Sequence, residues 1–188
     1  ATRTEHRPDI IKYAASNGVR GIYIEKPISR SLGAAKSAMR VVQSNGVSVA
    51  YGTYSRYLKV HRGVRDYIAS GALGALKQIV VNYGRSGLLW GHPHSVSLLA
   101  HYAGRRRVEF VQSSMVFDRK AVARNLIDDD PIPEFCFVRF KGGISGVITY
   151  SENFTVRLIC EKGEIETASD AASFSVYRNV RSPYFPQI

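Results

Sequence analysis

The stretch Gly21-Ile22-Tyr23-Ile24-Glu25-Lys26-Pro27 decides the fold. Its first four residues are a short apolar run bounded by Gly18 and Pro27, which predicts a buried strand. A helix is expected on each side. Upstream, residues 7–17 carry Ile10, Ile11 and Ala14 on one helical face and stop at Asn17-Gly18. Downstream, Ser29 or Ser31 can cap a helix in which Leu32, Ala35, Met39 and Val42 recur at helical spacing, and Asn45-Gly46 ends it. Val47-Ser48-Val49-Ala50-Tyr51 is the next strand. From Ile22 to Val47 is one strand–helix–strand crossover, so the two strands are expected to be parallel. With residues 1–4 taken as the end of an earlier strand, residues 1–52 form a βαβαβ piece of an open α/β sheet. In such sheets ligands bind at the carboxyl ends of the strands. Glu25 and Lys26 stand at such an end, and Pro27 shapes the turn.

The composition shifts near residue 53, which marks a domain boundary. Residues 57–70 predict a helix with Val60, Val64 and Ile68 on one face, Lys59, Arg62 and Arg65 off it, and Gly71 and Gly74 closing it. From Lys77 the period changes to two, and residues 78–83 predict a strand. Residues 93–103 form a helix closed by Gly104. Strands follow near 107–117, 134–141, 144–152, 154–161, 163–168 and 173–178, several joined at Gly142-Gly143 and Lys162-Gly163-Glu164. The expected fold class is therefore α/β plus α+β, with a mostly antiparallel-sheet domain over residues 53–188. Asp128-Asp129-Asp130-Pro131 is expected to be a solvated turn rather than a divalent-metal site.

Composition bounds the function. The chain has 188 residues, 45% hydrophobic and 22% charged, enough for one ordinary domain or two small ones. This excludes a disordered tail, a collagen-like repeat and a disulfide-dense miniprotein. A net charge of +11 favours anionic partners. Cys136 and Cys160 lie in apolar, strand-like stretches and are expected to be buried free thiols of a reducing compartment. No apolar run is long enough to span a membrane, and no signal peptide is recognised, so the cytoplasm is expected and Asn153-Phe154-Thr155 needs no glycan. Gly-x-Ser-x-Gly, a phosphate-cradling loop ending in Lys-Ser/Thr, and Cys-x-x-Cys are all absent from the sequence.

From spacing alone, Glu25 and Lys26 are either an exposed loop ion pair or a site at the mouth of a crevice. A lysine held beside an oxidised nicotinamide releases its proton more easily, and can help remove an alcohol proton while hydride leaves the same carbon. Glu25-Lys26-Pro27 after a strand, the preceding helix with His6 at its start, Ser70-Gly71-Ala72-Leu73-Gly74, and the pattern from Gly87 through His94 to Gly104 occur in that order. Over about residues 1–165 the chain resembles the glucose–fructose oxidoreductase, inositol dehydrogenase and rhizopine-catabolism family of NAD(P)-dependent oxidoreductases.

The resemblance implies a Rossmann domain followed by an α+β domain whose open sheet forms a homo-oligomer interface. It implies NAD or NADP as cofactor and a sugar, cyclitol or related substrate, with no nucleic acid or membrane partner. Lys26 matches the family's lysine near the nicotinamide and the reacting oxygen. His94, ten residues before Gly104, matches its acid/base histidine. Thr2, Arg3, His6, Glu25, Lys26, Pro27 and Arg56 are the implied cofactor contacts. Tyr54, Trp90, His94 and Ser97 are the implied substrate contacts. The sequence departs from the family at two positions: Trp90 and Ser97 stand where many members carry Asp. The first departure deprives His94 of an orienting carboxylate, which moves weight in proton transfer towards Lys26.

No Gly-x-Gly-x-x-Gly occurs in the 188 residues. In the family that loop would precede Ala1, as would the NAD/NADP selector, and a closing helix would follow Ile188. The chain then corresponds to the middle of an enzyme of roughly 300–400 residues, by ordinary domain sizes, and alone would hold a dinucleotide weakly. The competing expectation is a non-catalytic or fragmentary member acting as an oligomerising or anion-binding module. His92, His94 and His101 have no carboxylate or thiol nearby in sequence, so no metal is expected. Arg105-Arg106-Arg107 is expected to be solvated charge or a phosphate contact, and Tyr51, Tyr54 and Tyr57 packing at the domain junction.

Overall fold

The computed structural model describes residues 2–123, 126–127, 129–168 and 172–180. The chain divides into two compact units, Ala1–Tyr54 and Ser55–Ile188.

In the first unit a 3-10 turn at Thr4–His6 leads into α1 (Arg7–Ser16), β1 (Gly21–Ile24), α2 (Leu32–Ser44) and β2 (Ser48–Tyr51). Residues 2–4 are not a strand, which corrects the βαβαβ expectation. The His6 N–H donates to the Arg3 carbonyl at 3.2 Å, and Pro8, in the first turn of α1, pre-sets helical φ. The turn signal at this point outweighs the strand propensity of Thr2 and Thr4. β1 and β2 are parallel, with Gly21 opposite Ser48 and Ile24 opposite Tyr51, as the crossover length requires.

The apolar face of α1 is Pro8, Ile11 and Ala15, whereas Ile10 is exposed. The stripe is rotated from the one expected, because i, i+3 and i+7 meet the sheet more squarely here than Ile10 and Ala14. Ser31, not Ser29, caps α2: its Oγ accepts the Ala34 N–H at 3.3 Å, while Ser29 Oγ accepts the Ser31 N–H. Leu32, at the first helical position, points to solvent, whereas Val42 is buried as expected and Ala38 joins it. β1 is buried on one side only. Ile24 closes the core with Ile11, Ala15, Ala38, Val42 and Val47, while Tyr23 on the opposite face is 67% exposed.

The second unit begins with a 3-10 turn that includes Ser55 and Arg56, followed by α3 (Lys59–Ala69), β3 (Leu76–Tyr83) and α4 (Pro93–Ala103). Then come β4 (Val108–Val116), a short hairpin of β5 (Val122–Ala123) and β6 (Leu126–Ile127), β7 (Ile132–Phe140), β8 (Ser145–Tyr150), β9 (Thr155–Cys160), β10 (Gly163–Thr167) and β11 (Phe174–Arg178). Seven strands form one sheet in the order β11-β10-β9-β3-β8-β7-β4. Every pairing is antiparallel except β3 with β8.

The core joins Val64 of α3 and Leu98, Leu99, Tyr102 and Ala103 of α4 to Ile79, Val81, Val138, Ile148, Val156, Leu158 and Ile165 of the sheet. Burial of each such side chain stabilises by about 1.5–3 kcal/mol. Helix and sheet approach closely at Gly146, where an added Cβ would meet the Leu99 methyls at 3.0 and 3.2 Å. Cys136 and Cys160 are free and buried, and burial pushes both thiols above their usual range. β4, at the sheet edge, is exposed along almost its whole length. No helix among the described residues is long and apolar enough to cross a membrane.

Candidate active site

In the first unit, Lys26 follows the carboxyl end of β1 and is only 9% exposed. An exposed loop ion pair is therefore the wrong description of Lys26. The Lys26–Pro27 peptide bond is cis. The loop is organised by Arg7, a residue that spacing did not single out. Its guanidinium donates to the carbonyls of Glu25 at 3.2 Å, Pro27 at 2.5 Å and Thr2 at 3.1 Å. One cation thus gathers three of the expected cofactor contacts, Thr2, Glu25 and Pro27. Arg3 and His6 are exposed beside it. The Glu25 carboxylate accepts the Tyr23 hydroxyl at 3.2 Å and lies so close to Gly52 that a Cβ there would meet Oε2 at 2.6 Å. A hollow of about 270 Å³ lies beside this loop, lined by Thr2, Arg7, Ile10, Tyr23 and Glu25 among others. Tyr54, at the end of this unit, is exposed.

In the second unit, α4 carries the histidines. His94 is buried in the first turn of the helix, and its Nδ1 lies 3.0 Å from Ser55 Oγ, itself buried. The Ser55 hydroxyl is thus the group that fixes the His94 ring at Nδ1. A hydroxyl fixes the ring as a carboxylate does, without adding a negative charge that would raise its basicity. One turn on, Ser97 is buried and accepts the Arg56 Nε–H at 2.6 Å. Consecutive residues Ser55 and Arg56 thereby hold His94 and Ser97, three apart on one helix face.

Trp90 lies in the turn before α4 with 68% of its surface exposed. Its backbone is held by Asp130, whose carboxylate accepts the N–H groups of Leu89 at 2.6 Å and Trp90 at 3.1 Å. Asp130 is therefore half-buried and structural rather than part of a solvated turn, while Asp128 lies outside the described residues. Gly87 has no room for a side chain because Asp130 Oδ2 would lie 2.1 Å from its Cβ. This explains why a glycine opens the segment.

Two further histidines, His92 and His61, are packing groups of that region. His92 is buried against Tyr83, with ring centroids 5.2 Å apart, and its Nδ1 is 3.2 Å from Ser95 Oγ. Burial lowers its pKa, against a smaller opposing effect of Asp130. His61 of α3 is 1% exposed and pairs with the Tyr102 hydroxyl at 2.8 Å. Burial pushes His61 down to about 4 and the Tyr102 phenol far up. Among the described residues no group of three His, Cys, Asp or Glu side chains is arranged to hold a metal ion. Arg106, from the basic run, caps the end of α4 by donating to the Ala103 carbonyl at 2.8 Å. Ser55, Arg7 and Asp130 escaped the sequence reading because each acts on a partner distant along the chain, except that Arg7 adjoins the marked His6.

No protein-family model and no curated protein matches the sequence. Solved structures match it by fold. An inositol dehydrogenase homolog from Azotobacter vinelandii, complexed with NADH and myo-inositol, superposes with a TM-score of 0.80 at 15% identity, over 97% of this chain and 53% of that one. The WlbA dehydrogenase from Bordetella pertussis, in complex with NADH and UDP-GlcNAcA, gives 0.74 at 16% identity over 97% and 62%. An NAD binding oxidoreductase from Klebsiella pneumoniae gives 0.77 at 15% identity over 98% and 57%. The chain thus has the α/β plus α+β fold of these oxidoreductases and spans between half and two thirds of their length.

Proposed function

We propose that this chain is the nicotinamide- and substrate-facing part of an NAD-dependent oxidoreductase acting on a secondary alcohol or ketone carbon of a sugar, cyclitol or related compound. The observation that carries this reading is His94, buried on α4 and held at Nδ1 by Ser55. A histidine fixed in this way presents Nε2 for proton exchange with a substrate hydroxyl. Lys26, buried after a parallel strand, orients and polarises the reacting oxygen, and Glu25 and Pro27 shape its loop. The first unit is assigned to the cofactor, through Thr2, Arg3, His6, Glu25, Lys26 and Pro27, with Arg56 from the second. Tyr54, Trp90, His94 and Ser97 are assigned to the substrate.

These residues suit the nicotinamide end of the cofactor. A buried cation and a loop of backbone groups pinned by Arg7 can hold a carboxamide and a hydroxyl. Bound nicotinamide supplies hydride acceptance or donation, and the chain's own groups carry the proton. NAD is preferred because the inositol dehydrogenase homolog and the WlbA dehydrogenase named above were each solved with NADH. The open sheet face, with Phe110 and Phe135, is assigned to pairing with a second copy.

The first test is an NADH titration followed through Trp90, the single tryptophan. Saturable quenching with energy transfer to the dihydronicotinamide is expected, and its absence would count against the assignment. The second is Lys26→Ala, expected to reduce NAD-dependent polyol turnover by about 10²–10⁴-fold with little loss of NADH binding. Unchanged turnover would remove Lys26 from the mechanism.

A further inference from the structure

We infer that the cleft of about 580 Å³ lined by Arg56, Tyr57, Arg62, Arg65, Asp66 and His101 is a phosphate-binding subsite, and that it takes the phosphoryl group of a phosphorylated polyol whose carbinol end reaches His94. Naming the ligand's other end rests on the function proposed above. The subsite itself does not. Three guanidinium groups and an imidazole line the cleft with a single carboxylate, Asp66. Among the described residues neither Arg62 nor Arg65 enters an ion pair, although Lys12, Lys77 and Arg157 elsewhere are each paired with a carboxylate. Like charges gathered around a single carboxylate still repel one another, and an oxyanion offsets that repulsion with forked, charge-assisted hydrogen bonds.

The placement on α4 ties the cleft to the histidine. His94, Ser97 and His101 recur at i, i+3 and i+7, so they form one row on one face of the helix. Seven residues at the helical rise span about 10 Å, the reach of a sugar ring carrying a phosphoester. Arg56 belongs to both ends of the row, since its Nε–H donates to Ser97 Oγ and the side chain also lines the cleft.

The groups facing His101 are Arg56 and Tyr57 from the 3-10 turn, His61, Arg62, Arg65 and Asp66 from α3, and Tyr102 from its own helix. Burial lowers its pKa, the charges of Arg65 and Arg56 act in the same direction, and a hydrogen bond to the His61 backbone opposes them. A bound oxyanion favours imidazolium, so it raises that pKa.

The experiment follows the His ring resonances of the 188-residue protein by NMR at low ionic strength while inorganic phosphate is added. Saturable movement of His101, with its pKa raised, is expected. The Arg62→Ala, Arg65→Ala double variant should weaken the effect about ten-fold or more, and Arg107→Ala, in the exposed basic run, should not. No saturable movement at His101, or equal weakening by Arg107→Ala, overturns the subsite.

A phosphorylated cyclitol should move His101 and His94 together, and unphosphorylated myo-inositol should move His94 alone. Movement of His101 without His94 by the phosphorylated cyclitol keeps the phosphate subsite and overturns the polyol end. Movement of His94 without His101 overturns the subsite and keeps the polyol end. Displacement of phosphate from His101 by NADH would assign the cleft to the cofactor and overturn the substrate assignment.

Discussion

At the scale of single residues, what matters is how a polar group is held once it leaves water. Ser55 illustrates this for the proposed chemistry. Its hydroxyl at Nδ1 of His94 selects the ring's tautomer and direction, so Ser55→Ala should lower turnover about ten-fold with little change in KM, and should move the acid limb of the pH–rate profile. A loss confined to KM would show that Ser55 serves binding instead. His61 gives a test that needs no assumption about function. Its folded pKa, about 4, lies below its ordinary 6.5. Above pH 6.5 both folded and unfolded chains hold it neutral and its contribution to stability is fully present. As the pH falls towards 4 the unfolded chain takes a proton that the folded one refuses, and about 3 kcal/mol is lost across that window. Urea unfolding at pH 7 and pH 4.5 should register this fall. In His61→Phe the whole curve should sit lower, because the Tyr102 hydroxyl loses its partner, but the fall should shrink. An undiminished fall would place the titration elsewhere.

At the scale of elements, close approach selects particular residues. The turn from β9 to β10 depends on Gly163, whose φ is +152° and whose Cβ position lies 2.1 Å from the Tyr177 carbonyl oxygen on β11. No rotation of a side chain relieves a clash with backbone. Gly163→Ala should therefore detach β11 from β10 and lower stability by about 2–3 kcal/mol, read by denaturant unfolding together with earlier amide exchange in residues 174–178. Retained protection there would show that the strand pair can shift to absorb the methyl group. Residues 87–91 follow the same logic in reverse. Gly87 leaves space for Asp130, and Asp130 then satisfies two loop N–H groups that no regular element would pair.

At the scale of the whole molecule, charge and chain separation dominate. An excess of eleven positive charges repels itself in the folded state more than in the expanded one. Raising ionic strength from about 0.02 to 0.3 M shortens the screening length several-fold and should raise the thermal midpoint by about 2–4 °C. A constant or falling midpoint would mean that local attractions outweigh the net repulsion. The sequence by itself determined the kinds of element and much of their extent. Helices over 93–103 and strands such as 174–178 follow from period and turn signals that act within a few residues. It also determined that Lys26 follows a parallel strand, since crossover length sets strand direction. It missed the turn at Thr4–His6, where a backbone turn hydrogen bond and a proline outweighed local pattern. Only the tertiary structure decided which faces stay open, as at Tyr23 and along β4, because a period of two does not say which side meets a neighbour. Only the tertiary structure joined Ser55 to His94, Arg56 to Ser97 and Asp130 to Trp90, pairs 39, 41 and 40 residues apart. Contacts of that range depend on how helices seat on the sheet, and no local pattern along the chain encodes them.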